Sequence, residues 1–163
     1  MNEKAHFVIF TLEDRKFAVP MDRVEKIARA AEVMPLPNAP DPILGVVNVQ
    51  GAILPVVSLR RRFRLTDRPI GVEDHFLIGK TATRTIALAV DSVTDIVESS
   101  PGQITGHRAI LDGLQHVEGV MKLEDGMVLI HDLEHVLSTD EDMRLETAMQ
   151  KTSKPRKSKT ADG

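Results

Sequence analysis

The sequence contains no cysteine, tryptophan or tyrosine, and its aromatic residues are five phenylalanines. The absence of cysteine excludes a disulfide framework, a thiolate nucleophile and a cysteine-ligated zinc site, and it is compatible with a reducing compartment. The apolar run near the start ends at Leu12. That run is well short of the roughly 20 residues that a membrane span needs. We therefore expect a soluble, non-exported protein.

Charge is divided unevenly along the chain. The net charge of −3 combines −7 over residues 1–150 with +4 over residues 151–163. Nucleic-acid binding requires a basic surface on the folded part, and stacking on bases requires aromatic side chains. An acidic body with so few aromatics offers neither, so we expect no nucleic-acid partner. One alternative stays open, in which the basic tail and residues 60–64 bind nucleic acid in a salt-dependent manner.

Over most of the chain, apolar residues recur at every second position in short runs that are rich in Val and Ile. This period predicts β-strands. The segments with this pattern are residues 5–12, 16–19, 24–28, 45–50, 52–57, 75–79, 85–90, 93–97, 117–123 and 127–130. Turns are expected at residues 13–14, 50–51 and 125–126. An all-β barrel or sandwich follows.

Helical periodicity is confined to residues 59–63, 132–137 and about 140–150. Four prolines between Pro35 and Pro42 block regular hydrogen bonding and predict a stiff, extended connector. The tail lacks large apolar side chains. Because such a segment cannot offset its ordering entropy, we expect the tail to be disordered.

The chain repeats itself at two offsets, which is the signature of a duplicated unit. At an offset of 69 residues, six positions meet identical residues without a gap: Phe7, Arg15, Ala18, Asp22, Val24 and Ile27 align with Phe76, Arg84, Ala87, Asp91, Val93 and Ile96. A second offset, of 74 residues, aligns Gly45 with Gly119 and Leu59 with Leu133. The duplication predicts two barrels of about five strands packed on each other.

These observations give a domain organisation. We assign residues 1–140 to one domain made of two intertwined β-barrel subdomains, at about 5–70 and 71–140. A C-terminal helix ends within residues 141–150. Residues 151–163 are the basic tail.

The string from His131 to His135 matches the H-x-x-E-H pattern of inverted zinc peptidases. That chemistry requires both imidazoles on one helix face and Glu134 as general base. Residues 127–130 read as a strand that runs into His131, so we expect His131 at a strand end and both histidines at the surface. We predict no enzymatic activity, no metal and no cofactor. A zinc hydrolase that uses His131, Glu134 and His135 is the less favoured alternative.

The densest basic run is Arg60-Arg61-Arg62, followed by Arg64. We expect a helical turn in which Leu59 and Phe63 are buried and the guanidinium groups face the solvent. The alternative is a docking site for an acidic or phosphate-bearing partner.

The most distinctive segments are residues 7–12, 17–24, 36–37, 42–51 and 54–60 in the first half, and residues 89–93 and 119–130 in the second. Together these segments resemble the CheW family of chemotaxis adaptors. The resemblance covers about residues 5–140. It implies an all-β fold of two packed five-stranded SH3-like barrels, with short helices and one C-terminal helix.

The resemblance also implies a function. It is that of a non-enzymatic cytoplasmic scaffold that couples transmembrane chemoreceptors to a CheA-like histidine kinase, at the inner face of the membrane through receptor arrays. The expected partners are the regulatory domain of the kinase and the cytoplasmic tip of a methyl-accepting chemoreceptor, with no direct membrane insertion. The alternative is a CheW-like scaffold of another chemosensory pathway, such as surface motility, with altered receptor contact.

On this resemblance, the residues that bind kinase or receptor are Met21, Val24, Gly45, Asn48, Gln50 and Gly51. These residues could also be explained without a partner. Met21 and Val24 would then pack in the core, and Asn48 and Gly51 would serve the geometry of the turn. The family usually has Arg at the position of Gln50, and Gln lacks the bidentate charged contact of Arg. We hypothesise that receptor coupling is weakened or retuned while kinase binding is retained.

Overall fold

The computed structural model describes residues 5–99, 104–106, 117–123 and 126–153. The strands in these ranges are β1 (Ala5–Leu12), β2 (Arg15–Pro20), β3 (Val24–Arg29), β4 (Ile43–Val49), β5 (Ala52–Ser58), β6 (His75–Lys80), β7 (Thr85–Val90), β8 (Ser92–Ser99), β9 (Ile104–Gly106), β10 (Val117–Leu123) and β11 (Gly126–His131). The helices are α1 (Leu59–Arg62), α2 (Thr139–Ser153) and two 3₁₀ turns, Met21–Arg23 and Leu133–His135.

The strands form two sheets that exchange hairpins. Sheet I has the order β8-β1-β2-β11-β10-β9, and sheet II has the order β3-β6-β7-β5-β4. The early hairpin β1–β2 therefore lies among late strands, and the later hairpin β6–β7 lies among early ones. Each exchanged hairpin is attached on one side by an antiparallel pair, β1 with β8 and β6 with β3, and on the other side by a parallel pair, β2 with β11 and β7 with β5.

The strand registers repeat at the two offsets found in the sequence. On β1, Phe7 pairs with Val97 of β8; on β6, Phe76 pairs with Ala28 of β3, so both partners differ by 69 positions. The register shift between β1 and β8 recurs between β6 and β3, and the shift between β4 and β5 recurs between β10 and β11. The two sheets are thus built on the same pairing plan.

The predicted fold class is confirmed: the chain is mostly strands in two packed sheets, with few helices and one of them C-terminal. All ten predicted strands are present. Sheet I gains a further strand, Ile104–Gly106, which at three residues is too short for a period-two pattern to show. Helix α2 continues to Ser153, because nothing in residues 151–153 breaks it. The rest of the predicted disordered tail, residues 154–163, lies outside the described residues.

The largest buried cluster lies between the two sheets, and each sheet also surrounds a smaller one. Side chains alternate between the two faces of a strand, so β1 sends Val8 and Phe10 to the shared core and Phe7 and Ile9 to the core of sheet I. The core of sheet II consists of Val47, Leu54, Val56, Phe76, Ile78 and Ala87. The alternation predicted for β1 and β6 is therefore wrong in detail: consecutive side chains of these strands are buried, because both faces of each strand are covered.

Helix α2 covers one end of the shared core. Leu145 and Ala148 are buried in that core. On the flank of the helix, Arg84 at the start of β7 donates to Asp142 at 2.9 Å and to Glu146 at 2.8 Å. An apolar stripe and a charged border therefore hold the helix in place.

The arginines of α1 form ion pairs with acidic residues of the same chain. Arg60 donates to Glu13 at 2.7 Å and to Asp91 at 2.7 Å, and its side chain is 11% exposed. Arg61 pairs with Asp67, and Arg62 pairs with a glutamate of α2. The expectation of outward-facing guanidinium groups is wrong for Arg60 and Arg62, because acidic residues from distant segments fold onto them. Leu59 is buried as predicted.

A second arginine extends this ion network. Arg68 donates to both oxygens of Asp74, at 2.8 and 2.9 Å, and to Asp91 at 2.9 Å. The backbone N–H of Gly71 donates to the same Asp74 carboxylate at 2.7 Å. These donors, Arg68 first, hold the pKa of Asp74 below its ordinary value despite burial.

We predict that Arg68→Met destabilises the fold in a pH-dependent manner. Because the pKa of Asp74 is lower in the folded than in the unfolded chain, its stabilisation is complete above the unfolded pKa of 3.8 and is lost as pH falls through the folded pKa. Removing Arg68 should lower the free energy of unfolding at pH 7 by roughly 1 to 2 kcal/mol, with a smaller difference near pH 3. Urea unfolding at both pH values measures this. The exposed Arg29→Met is the control, and an equal loss at both pH values would contradict the prediction.

We predict that Gly45→Ala is far more damaging than Gly51→Ala. A Cβ at Gly45 would lie 2.1 Å from the carbonyl oxygen of Met34, which accepts from Val46 N at 2.8 Å, whereas nothing lies within 4 Å of a Cβ at Gly51. Gly45→Ala should cost more than about 2 kcal/mol of unfolding free energy. Gly51→Ala should cost only about 1 kcal/mol, because its φ of 92° disfavours a side chain. Urea denaturation of both variants tests this, and similar losses would count against the steric explanation.

Candidate partner-binding surface

Large apolar side chains are exposed on the segments that form sheet II. They are Met21 at 42%, Ile27 at 42%, Met34 at 62% and Ile53 at 52% exposure. Exposed apolar side chains rimmed by polar ones are typical of protein interaction sites. The start of β3 and the β4–β5 hairpin, where these side chains adjoin the site residues that the resemblance implies, are the candidate partner-binding surface; Ile96 at 51% and Met127 at 72% are further exposed apolar side chains, on sheet I.

The structure separates the environments of Met21 and Val24. Met21 begins the 3₁₀ turn that follows Pro20, whose fixed φ suits the entry to a helical turn. Val24 is half-buried, packs against the shared core and pairs with Gly79 of β6. Core packing accounts for Val24, whereas Met21 keeps almost half of its surface exposed.

Residues 48–51 form the tight turn of the β4–β5 hairpin. Gln50 and Gly51 both have positive φ, 52° and 92°, as a type I′ turn requires. The side-chain Oδ1 of Asn48 accepts from the Gly51 N–H at 2.8 Å. Turn geometry thus accounts for Asn48 and Gly51, and the side chain of Gln50 is left to contact another strand.

Lys26 links the start of β3, close to which Met21 and Val24 lie, to the turn of the β4–β5 hairpin. Its Nζ donates to Gln50 Oε1 at 2.6 Å, so the strand that begins at Val24 is linked to the hairpin turn. Lys26 belongs to no sequence motif, and the contact spans 24 positions. A sequence pattern alone therefore gave no signal for it.

Gly45 lies apart from the other predicted site residues. It is buried near the opposite end of β4, about 17 Å along the strand from Gln50 at roughly 3.4 Å per residue. There β4 is bridged by the segment that follows β3, through Met34 and Val46. The close approach of that backbone, described above, requires glycine at this position.

The zinc-peptidase pattern does not fold into the geometry that its chemistry needs. His131 ends β11, is 1% exposed and packs against Phe63 in a tilted arrangement with ring centroids 5.0 Å apart. His135 lies on the following 3₁₀ turn, where its hydrogen bond to the Asp132 carboxylate raises its pKa. The strand-end prediction for His131 is confirmed, but the prediction that it is a surface residue is wrong, because β11 carries it into the core. Glu134 accepts from the backbone of Ala82.

Two further searches cover only residues 5–99, 104–106, 117–123 and 126–153. No group of three or more His, Cys, Asp or Glu in these ranges is arranged to hold a metal ion. No helix there is both long and apolar enough to cross a bilayer.

Comparisons with known proteins identify the family. The chain is 28% identical over 142 residues to the chemotaxis protein CheW of Rhizobium meliloti (strain 1021), which covers 86% of this chain and 92% of the relative. It is 27% identical to the chemotaxis protein CheW of Klebsiella aerogenes, covering 83% and 82%. The solved structure of the scaffolding protein TtCheW from Thermoanaerobacter tengcongensis has the same fold, with a TM-score of 0.77, 22% identity and coverage of 85% and 96%. A family model described as the CheW-like domain matches residues 6–141. The resemblance is thereby confirmed, and the chain belongs to the CheW-like domain family.

Proposed function

We propose that this chain is a non-enzymatic adaptor that couples chemoreceptors to a CheA-like histidine kinase in chemotaxis signalling. The observation that carries the proposal is the family match, which spans residues 6–141 and so covers both sheets. The names of its relatives, chemotaxis protein CheW and a scaffolding protein, support the same role. The adaptor acts in the cytoplasm and reaches the inner face of the membrane through receptor arrays.

The surface around Met21 is the binding site for the regulatory domain of the kinase. An exposed, flexible apolar side chain next to a rigid strand is suited to fill a pocket on a partner, and such anchors supply most of the affinity of an interface. Val24, which packs into the shared core, holds the turn that presents Met21.

The turn at residues 48–51 is the binding site for the receptor tip, a helical hairpin. The turn is exposed and internally braced, and Ile53 directly opposite Asn48 adds an exposed apolar side chain. A helix can dock against such a surface through its apolar face while its polar side chains meet the turn.

We predict that Met21→Lys weakens binding to the regulatory domain of the kinase from the same organism by at least tenfold. The substitution places a charge on an apolar contact that must lose its water on binding. Isothermal titration calorimetry measures the affinity. Met127→Lys is the matched control, since Met127 is 72% exposed and lies on sheet I.

The outcomes of this titration are distinct. Loss of binding in Met21→Lys alone supports the kinase site on the 3₁₀ turn. Equal loss in both variants would indicate a nonspecific effect of added charge. Absence of binding by the unmodified chain to this domain and to the receptor would overturn the adaptor function.

We predict that Gln50→Arg changes receptor affinity and leaves kinase binding intact. Arg supplies a charged fork in place of a neutral amide and adds a second cation beside Lys26. The change should be at least threefold in the dissociation constant for a receptor cytoplasmic fragment, measured by titration calorimetry. If neither receptor affinity nor kinase activation changed, position 50 would have no part in receptor coupling.

A further inference from the structure

Lys26 of β3 contacts Gln50 in the turn of the β4–β5 hairpin, and Asn48 lies two residues before Gln50 on the same hairpin; all three side chains are exposed. Hydrogen bonds within the protein set their arrangement. The turn is held by its positive-φ backbone and by the hydrogen bond between Asn48 and Gly51, and the Lys26 ammonium is held by Gln50. The group is therefore organised before any partner binds.

The hydrogen bonds within this group occupy the side-chain oxygens of Gln50 and Asn48, which are acceptors, and leave most of the N–H donors of the three side chains unused. An ammonium can only donate, so the oxygen of the Gln50 amide must face Lys26. The oxygen of Asn48 faces the Gly51 N–H in the same way. The two amide nitrogens donate to no group within the described ranges, and two N–H bonds of the ammonium also remain. The surface offered to a partner is rich in donors.

This surface also carries one uncompensated positive charge. Of the acidic residues near the start of β3, Glu25 pairs with Lys80 at 3.3 Å and Glu134 pairs with Arg23 at 3.2 Å, whereas Asp22 takes part in no ion pair among the described residues. Lys26 takes part in none of the ion pairs among the described residues. Its charge is therefore available to an incoming group.

We propose that Lys26, Asn48 and Gln50 form a recognition site for a carboxylate side chain of the partner, with Lys26 as the specificity-determining residue. The inference rests on the proposed function and deepens it: the carboxylate belongs to the receptor tip that docks on this turn. An ionised carboxylate is an acceptor-only group, so it matches a cluster that offers donors and a cation. A basic side chain in its place would leave like charges together, which disfavours the wrong partner.

Titration calorimetry with a receptor cytoplasmic fragment from the same organism tests this site. Lys26→Met, which removes the charge and keeps an apolar stem, should weaken binding five- to tenfold and reduce its dependence on salt. Lys26→Glu should weaken it further, and replacing acidic residues of the receptor tip one at a time by Lys should restore binding to that variant. Lys122→Met is the matched control, because Lys122 is exposed and occupies the position of Asn48 in the corresponding hairpin of sheet I, 74 residues later.

A parallel titration with the regulatory domain of the kinase identifies the source of the carboxylate. Kinase binding that is unchanged by Lys26→Met supports the receptor as the source, and a loss confined to the kinase would overturn that assignment. Unchanged receptor affinity in both Lys26 variants overturns the carboxylate site but leaves the adaptor function in place. Failure of the unmodified chain to bind either partner overturns the function and the site together.

Discussion

The parallel pairing of the exchanged hairpins is the constraint on which the rest of this structure depends. Ala18 of β2 lies beside Ile130 of β11, and Ala87 of β7 lies beside Val56 of β5. All four side chains are essentially fully buried. Because each pair joins strands from different segments of the chain, neither sheet is complete without the other segment. The shared core then forms between two sheets that are already tied together.

The repeated pairing plan places a helical turn beside a hairpin turn at two corners of the molecule, and the helical turns at these two corners carry side chains of opposite charge. On α1, Arg60 reaches Glu13 in the β1–β2 turn. Glu134 is the residue 74 positions after Arg60. It accepts from the backbone N–H of Ala82, which has the same position in the β6–β7 turn as Glu13 has in the β1–β2 turn. Glu134 also pairs with Arg23. If the two helical turns changed places, Arg60 would take the position of Glu134 and would lie next to Arg23. The opposite signs at the two corners favour one arrangement of a duplicated chain over the other.

The same exchange leaves β3 at an edge of sheet II, where it pairs with β6 of the later β6–β7 hairpin. The 3₁₀ turn that carries the exposed Met21 leads directly into this strand, and Lys26 within the strand reaches the turn of the β4–β5 hairpin. The two proposed contact regions are therefore both joined to β3.

The amino-acid sequence by itself determined ten of the eleven described strands, the duplication and the tight turn at residues 50–51, because residue patterning, repeat offset and turn residues can be read directly from the sequence. Only the tertiary structure decided where side chains far apart in sequence meet. It placed Gly45 against a backbone carbonyl rather than at the surface, buried His131 against Phe63, and turned the guanidinium group of Arg60 towards Asp91. It also brought Lys26 to Gln50. Such contacts follow from strand order and hairpin exchange, which no short segment of sequence specifies.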